Sequence, residues 1–343
     1  MRRLIILLIL LGLIAAGAFE WSNAAWNEPG PPTPDGRPRV VLIPLHTRAH
    51  AVAEMLRAQG ALNYPFVFEF DLRWRRLAEQ MKAGEYAIPS RATMADIAAI
   101  LVAGKSIQHK LTAAEGLTSD MIYKLVEADP VLAGKAGPVP PEGSLLPETY
   151  LFVRGETRAQ LLAKMHQAQQ KFLAKKWATR VPNLLLQNPR QAVTLASIVE
   201  KETASPEERR HIASVFLNRL KAGMKLQSDP TIIYGITQGY PLGRGIRQSE
   251  IEGATPYNTY VIGGLPPTPI ANPGKDSIAA VLNPEDTGDL YFVANGKGGH
   301  VFAASEAEHQ RNVADWRRAE RIKAREIAPT PPPGPVHSDH HSR

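Results

Sequence analysis

The chain has 343 residues, 44% of them hydrophobic, and 40 Lys and Arg against 33 Asp and Glu give a formal charge of +7. That length allows about two domains with a sizeable core. The absence of cysteine excludes disulfides, thiol nucleophiles and cysteine-ligated metal centres. The basic balance suits an anionic polymer or a membrane surface, or is an ordinary solvated surface. The basic residues are scattered, with no aromatic-interleaved basic motif, which favours the ordinary surface, and the export signalled by the N-terminus disfavours nucleic acid.

In chain order, MRRLIILLILLGLIAAGAF places Arg2 and Arg3 before an uncharged run from Leu4 to Phe19. As a helix that run reaches ~24 Å, slightly short of a bilayer core. It predicts a membrane anchor over residues 1–26, with the arginines cytoplasmic and Trp21 and Trp26 in the far interface. A cleaved signal peptide is the alternative, because Ala16-Gly17-Ala18 has the small-residue form of a cleavage site. Either reading exports the remainder.

Residues 27–38, with EPGPPTPDGRP, read as a Pro-rich linker that holds the folded part off the membrane. RVVLIPL from Arg39 then predicts a strand, His50 to Gln59 a helix stopped by Gly60, and Leu72 to Met81 another helix. GEYAI predicts a short strand and Thr93 to Val102 a helix with a Thr/Asp cap. A small α+β module is the natural assembly, with binding or positioning as its role.

From Lys110 the pattern turns mainly helical with loops. PPEGSLLPETYLF reads as an ordered loop leading to Tyr150 and Phe152, followed by helices over Thr157 to Phe172 and Pro189 to Glu202. On a helical wheel of Gln191 to Glu202, Ala192, Leu195, Ile198 and Val199 form an apolar arc. Val193, Ala196, Ser197 and Glu200 share a second face, where small residues leave room for something to approach the acid. Glu202 falls nearer the apolar arc. Ser205-Pro206-Glu207-Glu208 predicts a capping box opening the next helix, which ends at Gly223. Glu200 thus lies in the last turn of its helix, where the helix dipole and apolar neighbours favour the protonated form that a general acid needs. An exposed surface glutamate remains the plain alternative.

Downstream, Gln227, Asp229, Tyr234, Tyr257, Asn258, Thr259 and Tyr260 lie on long loops rich in Gly and Pro. Aromatic faces beside amides and hydroxyls suit sugar rings, and the set reads as a cleft. Ordered turns with buried tyrosines are the alternative. The tail over 326–343 reads as disordered, with His337, His340 and His341 belonging to a flexible tail rather than a metal site.

Several segments, SIVEKET, VFLNRL with GMKLQSDPTIIYG, TPYNTY, GLPPTPIANPG and YFVANGKGGHVF, together with EGSLLPETY, resemble the endolytic murein transglycosylases of the MltG (YceG-like) family in the same order. The resemblance runs from about Arg39 to near Glu320. It implies an α+β chain: a single-pass inner-membrane helix, a small LysM-like subdomain over 39–108, and a mainly helical periplasmic catalytic domain with long loops and short strands over 109–325. It implies cleavage of the β-1,4 bond between N-acetylmuramic acid and N-acetylglucosamine within peptidoglycan strands. The product carries a 1,6-anhydromuramic acid end, and the cut terminates nascent glycans beside cell-wall synthases. The family's catalytic glutamate falls on Glu200, with no cofactor or metal. Gln227, Asp229, Tyr257, Asn258 and Thr259 are the expected substrate contacts. One departure is IPLHT in the first strand, where the family commonly has a Pro-x-Gly turn. The competing readings are a hydrolytic muramidase with Asp229 or Glu202 as second carboxylate, and a non-catalytic wall-binding scaffold.

Overall fold

Leu4 to Phe19 offers no charged side chain, and Arg2–Asn27 forms one continuous helix, α1, long and apolar enough to cross a membrane. The computed structural model describes residues 2–44 and 46–327. The histidine-containing tail beyond Ile327 lies outside the described residues. The fold is mixed helix and strand, and by its contacts the chain divides into two units. One takes in Met1–Thr112, Lys124–Pro138 and Thr149–Ala163, and the other Ala113–Tyr123, Val139–Glu148 and Lys164–Arg343.

In the first unit, β1 (Arg39–Ile43) pairs antiparallel with β2 (Gly84–Ile88), Arg39 opposite Ile88 and Ile43 opposite Gly84. Alternation puts Val41 and Ile43 inside with Tyr86 and Ile88. Between the strands run α2 (Ala49–Ala58) and α3 (Pro65–Trp74). The helix expected over Leu72 to Met81 therefore lies earlier: Pro65 opens it at the first turn and Arg75 closes it. The apolar pattern of 72–81 is a turn-rich return whose Leu77, Ala78 and Met81 still pack on the core. Following β2 comes α4 (Met94–Ala103), with Thr93 and Asp96 forming the full capping box and Gly104 left-handed at its end. The unit also holds β3 (His109–Thr112), antiparallel to β4 (Thr149–Phe152). In chain order α5 (Ser119–Ala128) and α6 (Arg158–Ala178) follow β3 and β4, each with residues in both units.

The Pro-rich segment read as a linker bonds to its own unit. Thr33 N–H donates to Ser90 Oγ at 2.9 Å, and the Arg39 guanidinium donates to the carbonyls of Pro31 at 3.0 Å and Pro32 at 2.7 Å. Proline lacks a donor but keeps its acceptor, and here the acceptors are used. The last turns of α1 are built into the same core: Ala25 and Trp26 are buried, and Trp26 stacks on Phe68 at 5.9 Å.

The second unit centres on α7 (Pro189–Glu202), which packs against α8 (Arg209–Lys221) and α11 (Lys275–Leu282). Asn188 caps α7 by accepting from Gln191 N–H, with Pro189 in the first turn. The capping box expected at Ser205 does not form. Ser205 Oγ bonds Glu207 instead, Pro206–Glu208 make a 3₁₀ turn, and α8 starts only at Arg209. Glu208 is withdrawn because it accepts from both the backbone N–H and the ring of His300, each at 2.7 Å. Next come α9 (Asp229–Thr237) and the single turn α10 (Gln248–Ile251). After α11, β5 (Tyr291–Ala294) pairs antiparallel with β6 (His300–Ala303), and α12 (Glu306–Ile327) follows.

Candidate active site

Every residue from Ala192 to Val199 is buried, so the second face of α7 is not open to a ligand. Backbone of this same unit covers it. Ser197 Oγ donates to Thr194 O at 2.7 Å and accepts Ile270 N–H at 3.0 Å, which lays the loop running through Asn272 to Gly274 along the helix. The small residues make room for this chain segment, and the segment delivers a donor to the acid one turn further on. Gly274 N–H donates to Glu200 Oε2 at 2.8 Å.

Glu200 has a side chain only 6% exposed, and its Oε1 lies 3.6 Å from Arg209 Nη2. The same nitrogen is 3.5 Å from Glu115 Oε2, and Arg209 Nη1 is 3.5 Å from Asp276. One guanidinium therefore faces three carboxylates. Burial, and then the charge of Glu200, pushes the Glu115 carboxyl above its ordinary value, while Arg209 works against that rise. Arg209 Nε is buried and has no hydrogen-bond partner. Glu200 is thus neither an exposed surface group nor fixed by a close ion pair.

Glu202, two residues on, is half-buried. Its carboxyl accepts from Ser228 Oγ, and burial pushes it up to about 7 against that hydrogen bond. At the last turn of α7, burial favours the protonated form of Glu202, whose bonded neighbour is the Ser228 hydroxyl.

Asn272 organises the site's frame. Fully buried, it donates through Nδ2 to Leu117 O, Ser119 Oγ and Glu142 Oε1 and accepts Leu145 N–H at 2.9 Å. Glu142 also accepts Ser119 N–H at 2.8 Å and the Tyr234 hydroxyl at 3.2 Å. Three stretches far apart in sequence, around 115–119, 142–145 and 270–274, are thereby held together.

Of the expected substrate contacts, Gln227 and Asp229 are exposed. Gln227 sits at φ 51°, a left-handed conformation that costs a non-glycine residue ~1 kcal/mol, and its N–H donates to Thr259 O at 3.1 Å. Asp229 accepts the Tyr260 hydroxyl at 2.7 Å. Tyr257 is half-buried, with its hydroxyl 2.9 Å from Thr268 Oγ1. Asn258 and Thr259 differ from expectation, since both are fully buried. Asn258 Nδ2 is used by the carbonyls of Glu250, Ile251 and Gly253, and Thr259 Oγ1 accepts Ser228 N–H at 2.9 Å and meets Thr231 Oγ1. They build the loops rather than line a surface. Ser228 links this group to Glu202, whereas Glu200 looks toward Gly274, Arg209 and Glu115. Among the described residues no group of three or more His, Asp or Glu side chains is placed to hold a metal ion.

Sequence reasoning missed Glu115, Arg209 and the Gly274 N–H. No local pattern marks them. They come from three separate segments and acquire meaning only when the Asn272 bonds bring those segments to Glu200.

The chain is similar to a protein of Streptococcus pneumoniae (serotype 2, strain D39) named endolytic murein transglycosylase, with 29% identity over 90% of this chain and 64% of the relative. It is also similar to a Bacillus subtilis (strain 168) protein of the same name, with 37% identity over 50% of this chain and 47% of the relative. It therefore spans about two thirds of the length of the first relative and about half that of the second. The crystal structure of a YceG-like protein from Listeria monocytogenes matches at 29% identity and a TM-score of 0.49, covering 79% of this chain and 98% of that one. The YceG-like family model matches residues 41–315, most of the chain, and the chain belongs to that family.

Proposed function

We propose that the chain is an endolytic peptidoglycan transglycosylase. The observation that carries this reading is the placement of Glu200, with a mostly buried carboxyl beside a backbone N–H and a guanidinium shared with Glu115. The names of the relatives support the substrate class, glycan strands of peptidoglycan.

In the proposed reaction, Glu200 in its acid form gives its proton to the oxygen that links N-acetylmuramic acid to N-acetylglucosamine. The bond from the anomeric carbon to that oxygen breaks, and the N-acetylglucosamine hydroxyl leaves. The Glu200 carboxylate then takes the proton of the muramic acid 6-hydroxyl, whose oxygen closes on the anomeric carbon. The acid is regenerated, a 1,6-anhydro end forms and no water is consumed. A hydrolase would need a second carboxylate to activate water or act as nucleophile. Glu202, half-buried and already bonded to Ser228, is poorly placed for that task. Gln227, Asp229 and Tyr257 are the side chains we assign to the sugar, with Asn258 and Thr259 shaping the loops beneath them.

In the same reading, α1 is a single-pass inner-membrane anchor and the remainder is periplasmic. Residues 39–108 form a LysM-like subdomain, a reading supported by the order strand, helix, helix, strand with antiparallel pairing. Residues 109–325 form the catalytic region. Cleavage terminates nascent strands beside the synthases.

The test is digestion of purified sacculi by the full chain and by Glu200→Gln, with mass spectrometry of the products. We expect anhydro ends from the parent and a loss of about 10²- to 10⁴-fold in the variant, the usual range for a general acid. Reducing ends would identify a hydrolase, and an unchanged rate in the variant would remove Glu200 from the role.

A further inference from the structure

Helix α3 turns Val67, Phe68, Asp71 and Leu72 into the core of its unit. Its other face carries Phe66, Phe70 and Trp74, spaced four residues apart and therefore stacked along one side. These three rings are 79%, 49% and 67% exposed, and Phe70 stacks on Trp74 at 6.3 Å. Three large aromatics lined up in water are an unusual use of a helix face, and such patches mark contact surfaces.

What adjoins this face identifies the surface it meets. Within the same unit, a crevice of about 440 Å³ is lined by Ala15, Ala18 and Phe19 of α1 on one side and by Phe66, Phe70 and Trp74 on the other. The two helices are locked in this placement. Ser22 Oγ donates to the buried Asp71 at 2.8 Å, and Arg75 lies 4.7 Å over the Trp26 ring while donating to Asn23 Oδ1. At ~1.5 Å per residue, the rise from Arg3 to Ser22 is ~28 Å, just within a hydrocarbon layer ~30 Å thick. With Arg2 and Arg3 at the near headgroups, Ala15 to Phe19 lie in the far leaflet, and the aromatic face beside them lies at the same depth. Arg73 borders that face, 66% exposed and paired with Glu69 at 2.6 Å, where a long cationic side chain reaches phosphate headgroups.

From this geometry we infer that the Phe66, Phe70 and Trp74 face of α3 is a lipid-contacting surface, seated at the boundary of acyl chains and headgroups in the leaflet where α1 emerges. It adds apolar surface where the uncharged run of α1 is short of the bilayer core. The inference rests on reading α1 as a membrane helix.

The chain has no cysteine, so single substitutions supply the only thiol for a nitroxide label. Full chains carrying Phe66→Cys, Phe70→Cys or Trp74→Cys are reconstituted in phospholipid nanodiscs, with Leu11→Cys in α1 and Lys221→Cys in α8 as references. Power saturation is read with oxygen, which concentrates in lipid, and with a water-soluble nickel chelate. We expect the α3 labels to match Leu11→Cys, with an oxygen-to-nickel ratio several-fold above Lys221→Cys. A lipid signal at Leu11→Cys with water-like values on α3 overturns the inference and leaves the membrane helix standing. Labels on α3 shielded from both reagents also overturn it, because a protein, such as a second copy of this chain, then covers the face. A water-like value at Leu11→Cys itself removes the membrane reading and the inference with it.

Discussion

Ser228 donates its hydroxyl to Glu202 on α7, while Glu200, two residues earlier, accepts from the Gly274 backbone at 2.8 Å. The two acids share a helical turn but have different partners. Glu200 sees a peptide dipole and a guanidinium. Glu202 sees a neutral hydroxyl and the core, with more distant charges acting on it in both directions.

The pH dependence of stability should carry the mark of Glu202. Its carboxyl is raised from 4.5 to about 7 in the folded chain, so between those values the folded state keeps a proton that the unfolded state has released. Stability therefore falls as pH rises through that window, and above 7 the whole penalty, about 3 kcal/mol, is present. Glu202→Gln keeps the shape and can still accept from Ser228 without a charge to bury. Urea unfolding at pH 4.5 and pH 8 should show similar stabilities at the lower pH and a more stable variant, by about 2–3 kcal/mol, at the higher.

Arg209 is the influence that lowers the Glu115 carboxyl. Arg209→Gln should move the Glu115 titration further upward, and Asp276→Asn, which removes a like charge, should move it down. Carboxyl-carbon NMR, with Glu115→Gln to assign the resonance, reads both shifts. Equal titrations in all three chains would mean that the guanidinium and the acids do not interact.

Asn272 leaves several groups without partners when truncated. In Asn272→Ala, the buried Leu145 N–H loses its acceptor and Glu142 one of its donors. Each unsatisfied buried group costs about 1–3 kcal/mol, so we expect a loss of about 3 kcal/mol in denaturant unfolding. Glycan cleavage should fall beyond the unfolded fraction, because Gly274 and Glu115 lose their common frame.

Two glycine substitutions should separate site from scaffold. At Gly143, φ is 75° and an added Cβ would meet Pro269 and Val193. Gly143→Ala should destabilise by about 2 kcal/mol or more. At Gly274 the backbone is ordinary and the obstacle is the Glu115 carboxyl, the far end of a flexible side chain. Gly274→Ala should keep its melting temperature within a few degrees and lose cleavage activity, because Glu115 is pushed aside.

Legibility in the sequence followed the range of the forces involved. The ends of α7 were readable because Pro189 suits a first turn and Ser205-Pro206 interrupts the chain just beyond Glu202, even though no capping box forms there. The capping box at Ser205 was misread because His300, 92 residues away from Glu208, competes for that carboxylate. Helix α3 was displaced by several residues because Phe66, Phe70 and Trp74 face outward, so its apolar residues do not mark the buried side. Glu200 and Gln227, which we assign to the site, were named through order and resemblance. Glu115, Arg209 and Asn272 act through tertiary bonds across the chain, and nothing beside them in the sequence announces that. Asn258 and Thr259 looked like ligand contacts because their polarity is the same whether it serves a sugar or a loop.

The donor that Gly274 offers to Glu200 belongs to the main chain. Genetic drift at that codon can add bulk or charge nearby, but only a change to proline deletes the amide hydrogen itself. The hydrogen bond to the acid thus outlasts most changes of side chain at Gly274, and what those changes disturb is the neighbouring Glu115 carboxyl.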